Sequence, residues 1–271
     1  MNRILLGAFG ALALCSCQPK LHPSEKREVA SMVIVLDAST SSSVRDGQQI
    51  ADLRCPEVSA AVEQALMQKG LRQLDVLVMA SGGKATSSEG RVVVAWRSFA
   101  PTARLFGKQV SRDEQRQAFI HNLEAECRST LRPEKSSPIF FAIERAVTSL
   151  EHHARALSHG SDIRQSQSLI VLSDLRENVH PGIKQRLLAV SDALRRGKPQ
   201  PPRPETVPVL KHDGIAVAVC GLAEHASGGG DDLTVSPEAI TSVWQEILGE
   251  ASLDASCRRP GSLPSVPGGA R

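Results

Sequence analysis

Oxygen-bearing side chains in three separate stretches could share one task. Asp37, Ser39 and Ser41 occupy alternate positions in VIVLDASTSSS, directly after a run of aliphatic residues. Asp174 follows Ser173 in LIVLSDLREN, again behind an aliphatic run, and Ser136 and Ser137 precede Pro138 in KSSPIFFAIERAV. One carboxylate with a row of hydroxyls is too little for most catalytic work. One or two carboxylates with several hydroxyls suit a hard divalent cation, which takes oxygen ligands in octahedral array and keeps some of its waters. One Mg2+ or Mn2+ ion matches this inventory. The competing reading is structural: serines that cap a first helical turn and aspartates that bond nearby backbone, with no metal.

Elements able to bring these stretches together are legible in the hydrophobic pattern. Aliphatic runs of strand length recur at Met32 to Leu36, Asp75 to Ala80, Val92 to Trp96, Leu169 to Leu172 and Ile215 to Val219. Most lack polar alternation, so these strands are expected to be buried on both faces. Helical periods lie between them, at Val58 to Leu66, Phe140 to Leu150, Ile183 to Leu194 and Ile240 to Leu248,. Strands alternating with helices imply an α/β fold of three layers, a mostly parallel open sheet with helices on both faces. The second and third strands are joined by SGGKATSSEGR without a helix. They are expected to form a hairpin, which makes the third an antiparallel edge strand. Ser111 with Glu114 forms a capping box, and Ser137-Pro138 and Ser236-Pro237 each put a cap before a first-turn proline,. In such sheets ligands sit at the carboxyl ends of strands, where Asp37 and Asp174 stand.

This arrangement resembles the von Willebrand factor A (vWA) domain with its metal-ion-dependent adhesion site. The D-x-S-x-S motif is met by Asp37, Ser39 and Ser41. The separate threonine at a helix start is matched by Ser137 before Pro138, and the later aspartate by Asp174 in VLSD. The likeness runs from about Ser31 to Gly249 and implies that these five residues hold one Mg2+ or Mn2+, whose open position is completed by an acidic side chain of a partner protein. Three departures stand out: serine replaces threonine at 137, the glycines that usually precede that threonine are absent, and Leu175 follows Asp174 where glycine is common. Pro56 is expected to interrupt the first helix, leaving Ser42 to Arg54 as a long loop near the site.

At the N-terminus, Met1-Asn2-Arg3 gives a basic start and Ile4 to Leu14 an apolar run of eleven. That is too few to span a bilayer and has the shape of a secretory signal. LCSC, closing it, resembles the lipobox of bacterial lipoproteins, which implies acylation of Cys17, and Gln18 rather than aspartate after it points to the outer membrane, facing the periplasm. The expected organisation is residues 1–16 signal, 17–30 tether, 31–250 vWA-like domain and 251–271 a partly disordered tail. Export makes Cys55, Cys127, Cys220 and Cys257 candidates for two disulfides in any of three connectivities. A buried thiol at Cys127, on the stripe Phe119, Leu123, Cys127, competes with that reading. The expected setting is the bacterial cell envelope.

Composition excludes several classes. The formal charge of +3 balances 32 basic against 29 acidic residues, aromatics are 3% and tyrosine is absent, so nucleic acid is not a fitting partner. No G-x-S-x-G elbow, P-loop or H-E-x-x-H motif is present,. His152, His153 and His159 are expected to be a solvated helix end. No enzymatic activity is expected. GKPQPPRPETVP, Gly197 to Pro208, carries five prolines and is expected to be an extended surface excursion,; with the Ser42 to Arg54 loop it is a candidate for partner contacts.

Overall fold

The computed structural model describes residues 27–39, 50–68, 71–81, 90–102, 104–105, 108–134, 136, 138–158, 163–177, 179–221, 235–249 and 251–253. The expected signal, Cys17, Ser41, Ser137, His159, Cys257 and the residues after 253 lie outside them.

Side chains alternate across a strand, so a strand buried on both faces must be apolar at both parities. β1 (Arg27–Asp37) behaves in this way: Val33 and Val35 enter one core, Met32, Ile34 and Leu36 the other. It runs parallel to β2 (Gln73–Ser81) on one side and to β6 (Ile163–Leu172) on the other. β7 (Ile215–Cys220) and the short β8 (Ser252–Leu253) continue the sheet in parallel. β3 (Arg91–Phe99) pairs antiparallel with β2 at the other edge. The order is therefore β3-β2-β1-β6-β7-β8. β4 (Arg104–Leu105) and β5 (Lys108–Gln109) form a separate two-stranded ladder, too short to show in the hydrophobic pattern.

Helices α1 (Ile50–Leu66) and α2 (Arg112–Thr130) cover one face, and α3 (Ile139–Leu157), α4 (Pro181–Arg195) and α5 (Pro237–Leu248) the other. This is the three-layer α/β arrangement expected from the sequence, a mostly parallel sheet with one antiparallel edge strand. The caps at Ser111 and Ser236 form as expected: Ser111 accepts from the Glu114 amide and Ser236 from that of Ala239. The sheet reaches a few residues past the expected domain limits, since β1 starts at Arg27 and β8 ends at Leu253.

Four expectations change. Pro56 does not end the first helix: α1 begins at Ile50 and carries the proline inside it. Buried Ile50, Ala51 and Cys55, together with a Cys55–Cys127 disulfide to α2, hold the turn before the proline. The bridge also decides against a buried thiol at Cys127. Cys220 is disulfide-bonded as well. Third, α3 is capped by Pro138 with no side-chain acceptor of its own. Fourth, His153 is not part of a solvated helix end. Its Nε2 lies 2.9 Å from Oδ2 of buried Asp75, and its ring stacks on Trp96 with centroids 3.9 Å apart. A buried carboxylate needs a partner, and the aromatic face of β3 gives the imidazole a surface to lie on.

Candidate metal site at the carboxyl edge of the sheet

Asp37, the last residue of β1, is 0% exposed and its carboxylate is surrounded by donors. Oδ1 accepts the Ser39 amide at 2.9 Å, as in an Asx turn, and the Ser81 hydroxyl at 3.3 Å,. Oδ2 accepts the Ser173 hydroxyl at 3.0 Å. Ser81 ends β2 and Ser173 follows β6, so three adjacent strands converge on one carboxylate. Ser173 in turn accepts the Leu175 amide at 2.9 Å, which fixes the direction in which its proton points.

The next segment is held as firmly. Asp174 is 5% exposed; its Oδ1 accepts the Arg176 amide at 3.0 Å, and its Oδ2 lies 3.7 Å from Arg176 Nε. Between them Leu175 sits at φ 59°, the left-handed region that favours glycine,. The turn expected of a glycine is therefore present without one. A fully buried leucine side chain and a 2.8 Å hydrogen bond from Trp244 Nε1 to the Leu175 carbonyl hold it there. At the neighbouring strand end, Gly221 has φ 110°, and a Cβ there would lie 3.0 Å from the Ser173 carbonyl oxygen. Only glycine lets β7 finish so close to the loop after β6.

Glu177 joins this loop to α3. Its Oε2 accepts the Phe140 amide at 2.8 Å, and Oε1 accepts the amides of Val179 and His180 at 2.7 and 3.0 Å. The first turn of α3 thus borrows its cap from Glu177 in place of the serine expected before Pro138. Burial pushes the Glu177 carboxyl above the usual carboxylate range, outweighing the three amides that favour its ionised form,. His180 begins α4 by accepting the Ile183 amide on Nδ1 at 3.4 Å, and its ring packs against Phe140 and Phe141. On the far side, Glu134 donates its amide to the Ala38 carbonyl at 2.8 Å and bridges to Ser39.

The three expected segments are thus laced together at one edge: 134 to 38, 140 to 177, and 173 to 37. Asp37 and Ser39 are buried side by side at the end of β1, and Asp174 stands just beyond the adjacent strand. Ser41 and Ser137 lie outside the described residues, though Ser136 and Pro138 flank the latter at the start of α3. Among the described residues no group of three His, Cys, Asp or Glu could hold a metal ion, so a cation here would need hydroxyl ligands, as the expected set supplies. The donors are all hard oxygens, and their chemistry fits Mg2+ or Mn2+. Ser81 and Glu177 were not foreseen. Ser81 carried one usable signal, a hydroxyl at the carboxyl end of an apolar run.

No protein-family model matches the chain, and no curated protein does. Solved structures do match, 136 chains in all. One is an aerotolerance-related membrane protein from Bacteroides fragilis, 13% identical, covering 84% of this chain and 94% of that one at a TM-score of 0.37. Another is the conserved hypothetical protein BatB from Bacteroides thetaiotaomicron, 13% identical over 84% and 91%, TM-score 0.38. The manganese-loaded TRAP protein of Plasmodium vivax is 14% identical over 72% and 58%, TM-score 0.34. Superpositions this loose say nothing about ligand or activity; the fold rests on the strand order and pairing of the chain itself.

Proposed function

We propose that this chain is an exported, lipid-anchored envelope protein whose vWA-like domain binds a partner protein through one divalent cation, Mg2+ or Mn2+. The observation that carries the reading is the convergence of two buried aspartate segments, Asp37 with Ser39 and Asp174, at the carboxyl ends of adjacent central strands. Asp37, Ser39, Ser41, Ser137 and Asp174 would hold the ion, directly or through its waters. When bound, the ion supplies an electrophilic position that a partner's carboxylate can complete. The chain's own part is to hold the hydroxyls and carboxylates in place, through Ser81, Ser173 and Glu177, so that little ordering remains when the ion arrives. Among the described residues no helix is long and apolar enough to cross a membrane; in this reading acylated Cys17 provides the attachment, and residues 17–26 the reach.

A second reading, a metal-free scaffold in an envelope assembly, is favoured by one observation. Both Asp37 oxygens already accept protein donors, and Asp174 has the Arg176 guanidinium nearby. Calorimetric titration of the detergent-solubilised full chain with MgCl2 and MnCl2 separates the two. Saturable heat and a rise in melting temperature, both lost in Asp37→Ala and Asp174→Ala, are expected for the metal-dependent binder. Absence of both in the wild type leaves the scaffold. Radiolabelled palmitate incorporation, abolished in Cys17→Ala, checks the anchor.

A further inference from the structure

The segment between α4 and β7 carries no helix or strand, and its sequence favours a particular shape. Pro199, Pro201, Pro202 and Pro204 each fix their own φ near the polyproline II value,. The residue before a proline is driven to extended or polyproline II backbone, which constrains Lys198, Gln200, Pro201 and Arg203,. Local sterics therefore bias every residue from Lys198 to Pro204 towards extended backbone, and a left-handed polyproline II helix of three residues per turn satisfies all of these constraints together.

Tertiary contacts agree with that shape. The Lys198 amide donates to the Ala193 carbonyl at 2.9 Å, so the strap starts at the C-terminal end of α4. After a turn closed by Val207 N–H to Pro204 O at 3.1 Å, the Thr206 carbonyl presses on Gly182 at the helix's N-terminal end, where a Cβ would come within 2.2 Å of it. From Ala193 back to Gly182 is about 17 Å along the helix. Six polyproline II steps from Lys198 to Pro204 cover about 19 Å, whereas six α-helical steps would cover only about 9 Å. The strap must stay extended to make both contacts.

Its three edges have different fates. Gln200 and Arg203 share one edge, and both are tied to α5: Ser242 donates to Gln200 Oε1 at 2.9 Å, and Arg203 Nη1 donates to the Glu246 carbonyl at 3.4 Å. Buried Arg186, paired with the Glu246 carboxylate at 2.5 and 3.0 Å, donates to the carbonyls of Pro201 and Pro202 at 2.7 and 3.3 Å. The other two edges are Pro199 with Pro202, and Lys198 with Pro201 and Pro204. Pro201 is half-buried and the other four are exposed. Two proline edges facing out, with a lysine at the N-terminal end, are what aromatic-lined grooves grip in polyproline recognition.

We propose that this strap is a docking element for a partner domain carrying an aromatic-lined polyproline groove with an acidic side chain placed to meet Lys198. The scaffold presents the ligand already ordered, so the usual entropic penalty of a free proline-rich peptide is largely absent. This surface is independent of the cation site.

The test is titration of the full chain against a panel of purified SH3-, WW- and EVH1-type domains, beside the free peptide of residues 197–208. At least one domain should bind the chain roughly tenfold more tightly than the peptide, because the ordering is done in advance. The paired substitution Pro199→Ala and Pro202→Ala, both on the exposed edge, should weaken that binding by roughly tenfold or more with only a small change in melting temperature. Asp174→Ala should leave it unchanged, which separates failure here from failure of the metal reading. The proposal is overturned if no domain binds the full chain, if the peptide binds as well as or better than the chain, or if the double proline variant binds undiminished.

Discussion

Replacing Cys55 and Cys127 together by alanine removes the covalent link between α1 and α2. Both sulfurs are fully buried, and the bridge spans a sequence separation of 72 residues. For a closed loop of that size the chain-entropy relation gives about 4.4 kcal/mol at 25 °C, an upper figure because residual structure in the unfolded chain reduces it. The helices keep other ties, a hydrogen bond from Ser59 to Glu124 and the ion pair of Arg128 with Asp52, but exposed or half-exposed pairs contribute less than about 1 kcal/mol each. An interior proline costs a helix roughly 3 kcal/mol, so the bridge, one residue before Pro56, is large enough to offset it. Urea unfolding is the assay. With a slope of about 2 to 3 kcal/mol per molar, the midpoint should fall by roughly 1.5 to 2 M. Hydrogen exchange should localise part of the loss to Ile50–Arg54, the turns ahead of the proline. A midpoint shift under about 0.3 M would refute the reasoning, since α1 would then be held by packing alone.

Two further outcomes follow from the site and the strap. The Glu177 carboxyl is raised by burial above its ordinary value of 4.5, so the folded chain keeps a proton that the unfolded chain gives up. Its contribution to stability is complete below about pH 4.5 and is lost as pH rises through the folded value. Glu177→Gln should flatten that part of the stability profile between pH 4 and 7, read as urea midpoints; an unaltered slope would mean another group carries it. Gly182→Ala adds a methyl 2.2 Å from a backbone carbonyl oxygen. At an unhindered helical position the change stabilises by up to about 1 kcal/mol. Here the clash should reverse the sign, to a loss of about 1–3 kcal/mol in thermal or urea unfolding.

The fold was legible because its central strands are buried on both faces, and the apolar runs that announce this, such as MVIVL and SLIVL, cannot be mistaken for amphipathic helix of the same length. The hairpin and the caps at Ser111 and Ser236 follow from equally local chemistry. What stayed hidden was decided by contacts between residues far apart in the chain. Nothing near Glu177 announces that it will cap a helix beginning at Ile139, and nothing near His153 points to Asp75. The helix through Pro56 depends on a disulfide partner in another helix, which overrides a valid local rule. At the site, Asp37, Ser39 and Asp174 could be found because each stands at the carboxyl end of an apolar run. Ser81 could have been found by the same rule applied evenly. The spacing of four cysteines leaves three pairings, and only the packing of α1 on α2 chooses Cys127 for Cys55.

β1 begins at Arg27, directly after the proposed tether, and ends at Asp37 in the candidate site. It lies between two parallel neighbours, in register from Val29 to Asp37 with β2 and from Arg27 to Leu36 with β6. If the chain is held at its N-terminal side and a ligand pulls at Asp37, the load runs through the covalent backbone of one central strand, and the ladders on either side need not be broken to carry it.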